Sequence, residues 1–337
     1  MIDDRLLQTR ARDFDCIVCG SCVVDVLVRP VDLSKPIGGG RLVRSDPMQL
    51  ATGGIVSNSG VALARLGMKP AAFTYVGNDD WADIIRQRYE SEGLDAQHLL
   101  THETAPTSTT VVLIDEGGER TFLHAVGAPK KLNKHAFLDH IDLFGRSRAM
   151  LLGYFPLLPN LLNDLPEVLQ AIRETGCVTA LDTAGDGGSL SDLAPVLPHL
   201  DLFVPSLGEA RHQTGLTDPS EILQAFRDAG ATGLLGVKLG EQGALLSPTS
   251  DEFLDIAAIA PPGEVVDTTG AGDSFLAGLL TGLLRGLSFE GSGRLAAAVG
   301  AMCVTGLGAS TAIGDYAAAC QLCGLPESGL PESGLPE

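Results

Sequence analysis

Aromatic and basic residues are the scarce ones in this 337-residue chain. Aromatics make up 5% of it, and 23 Lys and Arg face 42 Asp and Glu, for a formal net charge of −19. A chain this acidic repels the phosphate backbone, which argues against a nucleic-acid partner. So few aromatics argue against a site built to stack a nucleobase. Long apolar runs are missing too. The most apolar helical stretch, Phe275–Leu287, is about half the length a bilayer requires and carries Arg285, so no membrane partner is expected. The first residues, M-I-D-D-R-L-L-Q-T-R-A-R-D, lack an apolar signal core, and the expected location is the cytoplasm.

Cysteine is present without the company a metal site needs. Cys16, Cys19 and Cys22 have C-x2-C-x2-C spacing, and Cys320 and Cys323 form a second pair. Residues 15–20 read as a buried strand, where an i, i+3 pair points to opposite faces. No His accompanies the second pair. All seven cysteines read as reduced thiols, most of them buried.

What the chain does have is Val265–Gly278, V-V-D-T-T-G-A-G-D-S-F-L-A-G. Gly270, Ala271 and Gly272 leave almost no bulk at the turn. Their N–H groups can face an anion, and the helix that follows adds its positive dipole end. Asp273 sits in that electropositive setting. A carboxylate beside an anion hole suits phosphoryl transfer: the donors stabilise the moving phosphoryl group, and the carboxylate takes the proton of the attacking hydroxyl. A helix start packed closely through small residues would explain any short fragment of this run. It does not explain both acids and both glycines in one turn.

The remainder reads as strand–helix alternation. Asp15–Val28 is an apolar run consistent with a first central strand, and Asp25 is the lone acid within it. Buried without a partner it would be costly, so it should meet a donor, either water at an edge or the hydroxyls of a polyol. Pro30–Leu50 suits a short, partly exposed pair of strands. Gly53-Gly54 makes a tight turn before a helix that Ser57 or Asn58 would cap; Asn58 is alternatively a ligand contact. Ala71–Val76 reads as a strand, and Asp79 and Asp80 open a helix. Thr107–Ile114 and Arg120–Val126 flank D-E-G-G-E, a hairpin signal with polar arms, read as an exposed flap. From Met150 onward, polar or glycine-rich residues follow the strand ends at Asp182, Ser206/Glu209 and Gly240, where a doubly wound sheet binds ligands. Gly278, Gly282 and Gly286 recur every four residues on one face of the helix after Asp273, which calls for a closely packed neighbour. The chain ends in a G-L-P-E-S repeat that cannot form a core.

Two stretches together resemble a known family. D-T-T-G-A-G-D-S-F resembles the C-terminal signature of the ribokinase-like (PfkB) carbohydrate kinases, and G-G-I-V-S-N-S-G-V-A-L-A-R-L-G their N-terminal one. Y-V-G-N-D-D, G-E-R-T-F, V-K-L-G-E-Q-G and the late G-L-G-A extend the match over about Asp15 to Ala312. The resemblance implies a three-layer α/β/α ribokinase-like fold, with a mostly parallel central sheet and a small β lid. It implies one kinase domain over 14–323, a lid from about 24–52 and 105–127, a flexible lead-in 1–13 and a disordered tail 324–337. Asp273 would be the general base and the amides of Gly270, Ala271 and Gly272 the anion hole. Asp25 and Asn58, with Gly53 and Gly54, would hold the sugar. Lys238, Gly240 and Gly243 would lie along ATP. Glu209 would act on Mg²⁺ through water. Asp267, Thr269 and Gly308, with a carbonyl near Cys303, would be candidates for a K⁺ site. Lid-to-lid homodimers are a feature of the family.

Three positions depart from the family pattern. Ser206 stands where N-x-x-E has Asn, Val23 where ribokinases have a sugar-binding Asn, and Pro129 follows Gly127-Ala128 in place of Asn. The expected activity is ATP-dependent phosphorylation of a free sugar or sugar acid. A nucleoside kinase ranks second. Phe14, Trp81 and Phe122 are the few aromatics in reach of that role. A catalytically weak ligand-binding relative, favoured only by Ser206, ranks third.

Overall fold

Side chains of the first strand alternate between two cores. Cys16 and Val18 join one buried cluster, Ile17 and Cys19 the other, as the period of a strand requires. The computed structural model describes residues 11–35, 38–40, 42–185 and 187–326. Strands β1 (Phe14–Gly20), β2 (Val23–Val28) and β3 (Gln49–Gly53) lead into helix α1 (Gly54–Arg65). Next come β4 (Pro70–Phe73), β5 (Tyr75–Val76), α2 (Asp80–Ser91), β6 (Leu100–Thr101), β7 (Thr109–Ile114) and β8 (Arg120–Ala125). Short helices α3 (Lys134–Leu138) and α4 (Ile141–Gly145) precede β9 (Ser147–Gly153), α5 (Leu165–Glu174), β10 (Val178–Leu181), α6 (Leu190–Leu193) and β11 (Leu202–Phe203). Then follow α7 (Leu207–Thr214), α8 (Pro219–Asp228), β12 (Leu234–Lys238), β13 (Ala244–Ser247), β14 (Leu254–Ile256), α9 (Ala271–Leu284), α10 (Phe289–Cys303) and α11 (Tyr316–Cys323).

Eight strands form the central sheet in the order β14-β13-β12-β11-β10-β9-β1-β4. The pairs from β4 through β12 are parallel, while β13 and β14 are antiparallel additions at one edge. Helices α1, α2, α9, α10 and α11 bury one face, and α3 to α8 bury the other. That is the expected three-layer arrangement. The lid is a separate four-stranded sheet, β3-β2-β7-β8, and the anticipated flap is its β7–β8 hairpin.

Three strand expectations need correction. The apolar run Asp15–Val28 is two strands in two sheets. Gly20 has φ +123, and a Cβ on it would lie 2.2 Å from the Gly153 carbonyl oxygen; the chain turns out of the central sheet there and enters the lid as β2. Apolarity is the same on both sides of that turn, so composition does not reveal it. Ala71–Val76 likewise divides at Thr74, whose hydroxyl donates to the Gly20 carbonyl at 2.6 Å. No strand pair forms among the described residues of Pro30–Met48; only β3, from Gln49, pairs with β2.

The glycine face of α9 is half as long as its spacing implies. A Cβ on Gly278 would come within 2.8 Å of Ala296 Cα, and one on Gly282 within 2.7 Å of Ser292 Cα, so α10 packs directly against both. Gly286 lies beyond the helix end, with φ +80 and open space around it. At the chain's two ends the expectations fall mostly on residues 1–10 and 327–337, outside the described ones. Arg12 is bound to the carbonyls of Ser147 and Thr175, and Leu325 packs on the core after its N–H bonds Cys320 O. All seven cysteines are buried thiols, none of them in a disulfide.

Candidate active site

Close packing at the strand ends assembles the site. Gly20 and Gly153 end neighbouring strands, and Ile55 of α1 rests on both, within 3.1 Å of where a Cβ would stand. Any larger residue would lift α1 off the sheet. Seated there, α1 points Asn58 at the start of α9. Asn58 Nδ2 donates to Asp273 Oδ2 at 2.7 Å, and Ser59 Oγ to the Asp273 carbonyl at 3.0 Å. Asn58 is therefore not a helix cap: α1 starts at Gly54, and Ser57 lies inside it, donating back to Gly53 O. Asn58 Oδ1 is buried without a protein donor, which leaves an acceptor for a ligand hydroxyl.

The Gly53-Gly54 turn is tight for two separate reasons. A Cβ on Gly53 would stand 2.5 Å from Asp25 Oδ2, and one on Gly54 (φ +79) 2.5 Å from the Ser21 carbonyl oxygen. The turn thus sets Asp25 beside the N-terminus of α1, about 7 Å of helix from Asn58. Burial raises the Asp25 carboxyl to about 6, and the Thr110 hydroxyl partly offsets this. In turn Thr110 Oγ1 meets His124 Nδ1 at 3.0 Å across the lid.

Asp273 lies in the first turn of α9, whose N-cap Gly270 is left-handed (φ 77) and which no side chain caps. The Ala271 N–H is turned toward Thr268 O at 3.3 Å. Gly270, Gly272 and Asp273 N–H have no backbone acceptor among the described residues, so they are the open donors of the turn. Burial pushes the Asp273 carboxyl up to about 7; the charge of Asp182 adds to this, while Asn58, Tyr154 and Lys238 oppose it. Lys238 projects from the end of β12 to pair with Asp182 at 3.1 Å, and its Nζ comes 3.2 Å from where a Cβ of Gly272 would be. Burial works against its charge, but Asp182, Glu209 and Asp273 together raise its pKa, so the ammonium is retained beside the turn. A cavity of about 470 Å³ opens on the other side, with Lys238, Gly240, Gly243 and Thr268 at its polar end. Ile259, Pro261, Phe275, Ala301 and Val304 form its apolar wall. That shape suits a flat heterocycle joined to a charged chain that ends at the turn.

The metal assignments fare unequally. Glu209 forms a capping box at α7: its Oε2 accepts from the Ser206 N–H and hydroxyl, both at 2.7 Å. Ser206, in place of Asn, thus orients the acid from below. The box uses only Oε2, so among the described residues Glu209 Oε1 remains open to a hydrated cation. No cluster of metal-binding side chains exists among the described residues, and Mg²⁺ held by one or two carboxylates plus nucleotide phosphates requires none. The K⁺ candidates do not fit. Asp267 accepts from Thr269 N, Gly308 N and Arg120, the last at 2.9 Å. Burial would raise this carboxyl, but those donors hold it down at about 2. The Cys303 thiol covers the Thr269 and Ala309 carbonyls at 3.5 and 3.1 Å. A guanidinium and a thiol thus occupy the oxygens a bare cation would need.

Arg120 also ties the lid to the glycine turn before α9, since its Nη1 donates to Thr269 Oγ1 at 3.1 Å. In the sequence Asp182 is only a polar residue after a strand, and nothing there links it to Lys238, 56 residues away. Tyr154 carries no sequence signal at all. Its hydroxyl donates to Asp273 Oδ2 at 2.8 Å, and no motif flags it.

Comparisons with known proteins identify the family and the fold. The model of the pfkB family carbohydrate kinases matches residues 13–314. Ribokinase from Haemophilus influenzae is 27% identical over 88% of this chain and 94% of its own. Fructokinase from Salmonella typhimurium is 30% identical over 88% of this chain and 95% of its own. The structure of Arabidopsis thaliana ribokinase complexed with ribose and ATP superposes with a TM-score of 0.80 at 24% identity, covering 93% of this chain and 99% of that one. No helix among the described residues is long and apolar enough to cross a membrane. The chain belongs to the pfkB family of carbohydrate kinases and is an ATP-dependent sugar kinase.

Proposed function

We propose that the substrate is a free sugar or sugar acid and that Asp273 is the general base. The observation that carries this reading is the Asp273 carboxylate, buried beside the open amides of its own helix and the Lys238 ammonium. The acceptor hydroxyl, held by Asp25 and Asn58, gives its proton to Asp273 as its oxygen attacks the γ-phosphorus. The bond to the ADP oxygen breaks. Gly270 and Gly272 amides and Lys238 stabilise the charge on the transferred group. ATP would fill the cavity behind the turn, along Lys238, Gly240 and Gly243. Mg²⁺, held on the phosphates near Glu209 through water, would neutralise phosphate charge. Lid closure through Arg120 would exclude water, so that ATP is not spent on hydrolysis.

The sugar reading outranks the nucleoside one because the aromatics are elsewhere. Phe14 packs on His98 at the start of β1, at the opposite end of that strand from Gly20. Of the other two, Phe122 lies exposed on the lid and Trp81 sits half-exposed in the first turn of α2. The relatives named above are a ribokinase and a fructokinase, both named for free sugars. An ADP-release screen over free sugars, sugar acids, phosphosugars and nucleosides, run with wild type and Asp273→Asn, tests the proposal. A hit confined to nucleosides refutes the substrate class, and equal rates in the two proteins refute the base.

The lid also supports a homodimer. Leu50, Val26, Val111 and Leu123 are register partners across its four strands, on the face opposite Asp25. Leu50, Val111 and Leu123 are exposed. A second copy covering that row accounts for it. Light scattering that finds a monomer at micromolar concentrations sinks this.

A further inference from the structure

Tyr154 stands at the end of β9 in a conformation that only glycine adopts freely. Its φ is 60 and its ψ 39, and it has the only positive φ of any non-glycine among the described residues. Such a backbone costs on the order of 1 kcal/mol or more and persists where the surroundings over-determine it. Those surroundings are on both sides. Tyr154 N–H donates to Asp182 O at 3.1 Å, and its carbonyl accepts from Leu157 N at 2.8 Å. Before it, Gly153 is pinned beneath Ile55. In an extended conformation the side chain would continue the alternation of β9 into one of the two cores. The left-handed turn carries it over the strand ends instead, where its hydroxyl reaches Asp273 Oδ2.

Resting on the assignment of Asp273 as base, we propose that Tyr154 is a positioning residue. Its phenol and Asn58 together fix one carboxylate oxygen, Oδ2, and so commit the other, Oδ1, to the acceptor hydroxyl. Both donors converge on Oδ2, and no described residue donates to Oδ1. The carboxylate rotation of Asp273 is thereby set from two directions, by α1 and by the loop after β9. Charged and titratable groups facing this carboxylate are Asp182, Lys238 and the Cys303 thiol, in addition to the phenol itself. Burial, Asp273 and Asp182 hold the phenol far above its ordinary range, so it stays a donor at every working pH.

The test compares wild type, Tyr154→Phe, Asp273→Asn and the double variant, using whichever sugar the screen identifies. Tyr154→Phe keeps the ring and loses the hydrogen bond. It should lower kcat about 10- to 100-fold, the worth of one hydrogen bond to a charged group, with KM for ATP unchanged. The acid limb of its pH profile should move to higher pH, because the ionised carboxylate has lost a donor. In the Asp273→Asn background the same substitution should have no further effect on the residual rate. A Tyr154→Phe enzyme with wild-type kcat and an unmoved limb overturns the proposal. So does an equal loss in both backgrounds, which would mark a purely structural role. A wild type that phosphorylates no sugar refutes the function itself and is read separately. A cooperative urea transition of Tyr154→Phe with the wild-type slope guards against misfolding, so that its kinetic defect is read on folded enzyme.

Discussion

The pH dependence of turnover is where the buried carboxylates expose themselves. Asp273 titrates near 7 in the folded protein against an ordinary 3.8, and Asp25 near 6. Both raised values come first from burial. Only ionised Asp273 can accept the proton, so kcat/KM should level off above about pH 8 and fall below it. With a value near 7, about one tenth of the enzyme is active at pH 6 and about one hundredth at pH 5. An ordinary aspartate would be essentially fully ionised at both. Below pH 6 the loss of Asp25 as a charged hydroxyl acceptor should steepen the slope from one towards two. The assay is direct chromatographic measurement of ADP at saturating MgATP, which removes any coupling enzyme from the pH response. Return of samples to pH 8 checks that the loss is reversible. kcat/KM is the quantity to read, because slow product release can hide the chemistry in kcat. A level profile from pH 5 to 8 would refute the argument that burial beside Asp182 sets this base.

Gly53→Ala places a Cβ 2.5 Å from Asp25 Oδ2, so it should raise the sugar KM about tenfold or more while leaving the ATP KM unchanged. Equal KM values in steady-state kinetics would contradict the contact. Gly282→Ala drives a methyl to 2.7 Å from Ser292 Cα; overpacking of about 1–3 kcal/mol should exceed the helix-propensity gain of about 1 kcal/mol and lower the urea midpoint. A rise in that midpoint would mean α10 simply yields. Exchange of K⁺ for tetramethylammonium at constant ionic strength should leave the rate unchanged, because Arg120 and Cys303 already fill the oxygens of the candidate cation site. Activation by K⁺ in initial-rate measurements would show that those groups give way.

The strongest local signals were legible because they are contiguous. The Gly270–Asp273 turn and the lid hairpin around D-E-G-G-E each lie within a few residues, so spacing alone reports their geometry. The glycine turn before α9 and the class of fold thus followed from sequence, as did the opposite faces of Cys16 and Cys19. Features that depend on two distant segments did not. The run Asp15–Val28 is uniformly apolar, yet the Gly153 carbonyl against Gly20 divides it between two sheets. Asp267 reads as a cation ligand until the lid delivers Arg120 to it across 147 residues. Sequence names Asp273 as an acid after a glycine turn. Its elevated pKa, its fixed oxygen and its neighbours Lys238, Asn58 and Tyr154 come from four separate chain segments. Local hydrogen bonding and backbone sterics act between near neighbours and leave a pattern in the sequence. Burial and electrostatic coupling act through space, and only the tertiary structure decides which residues share it.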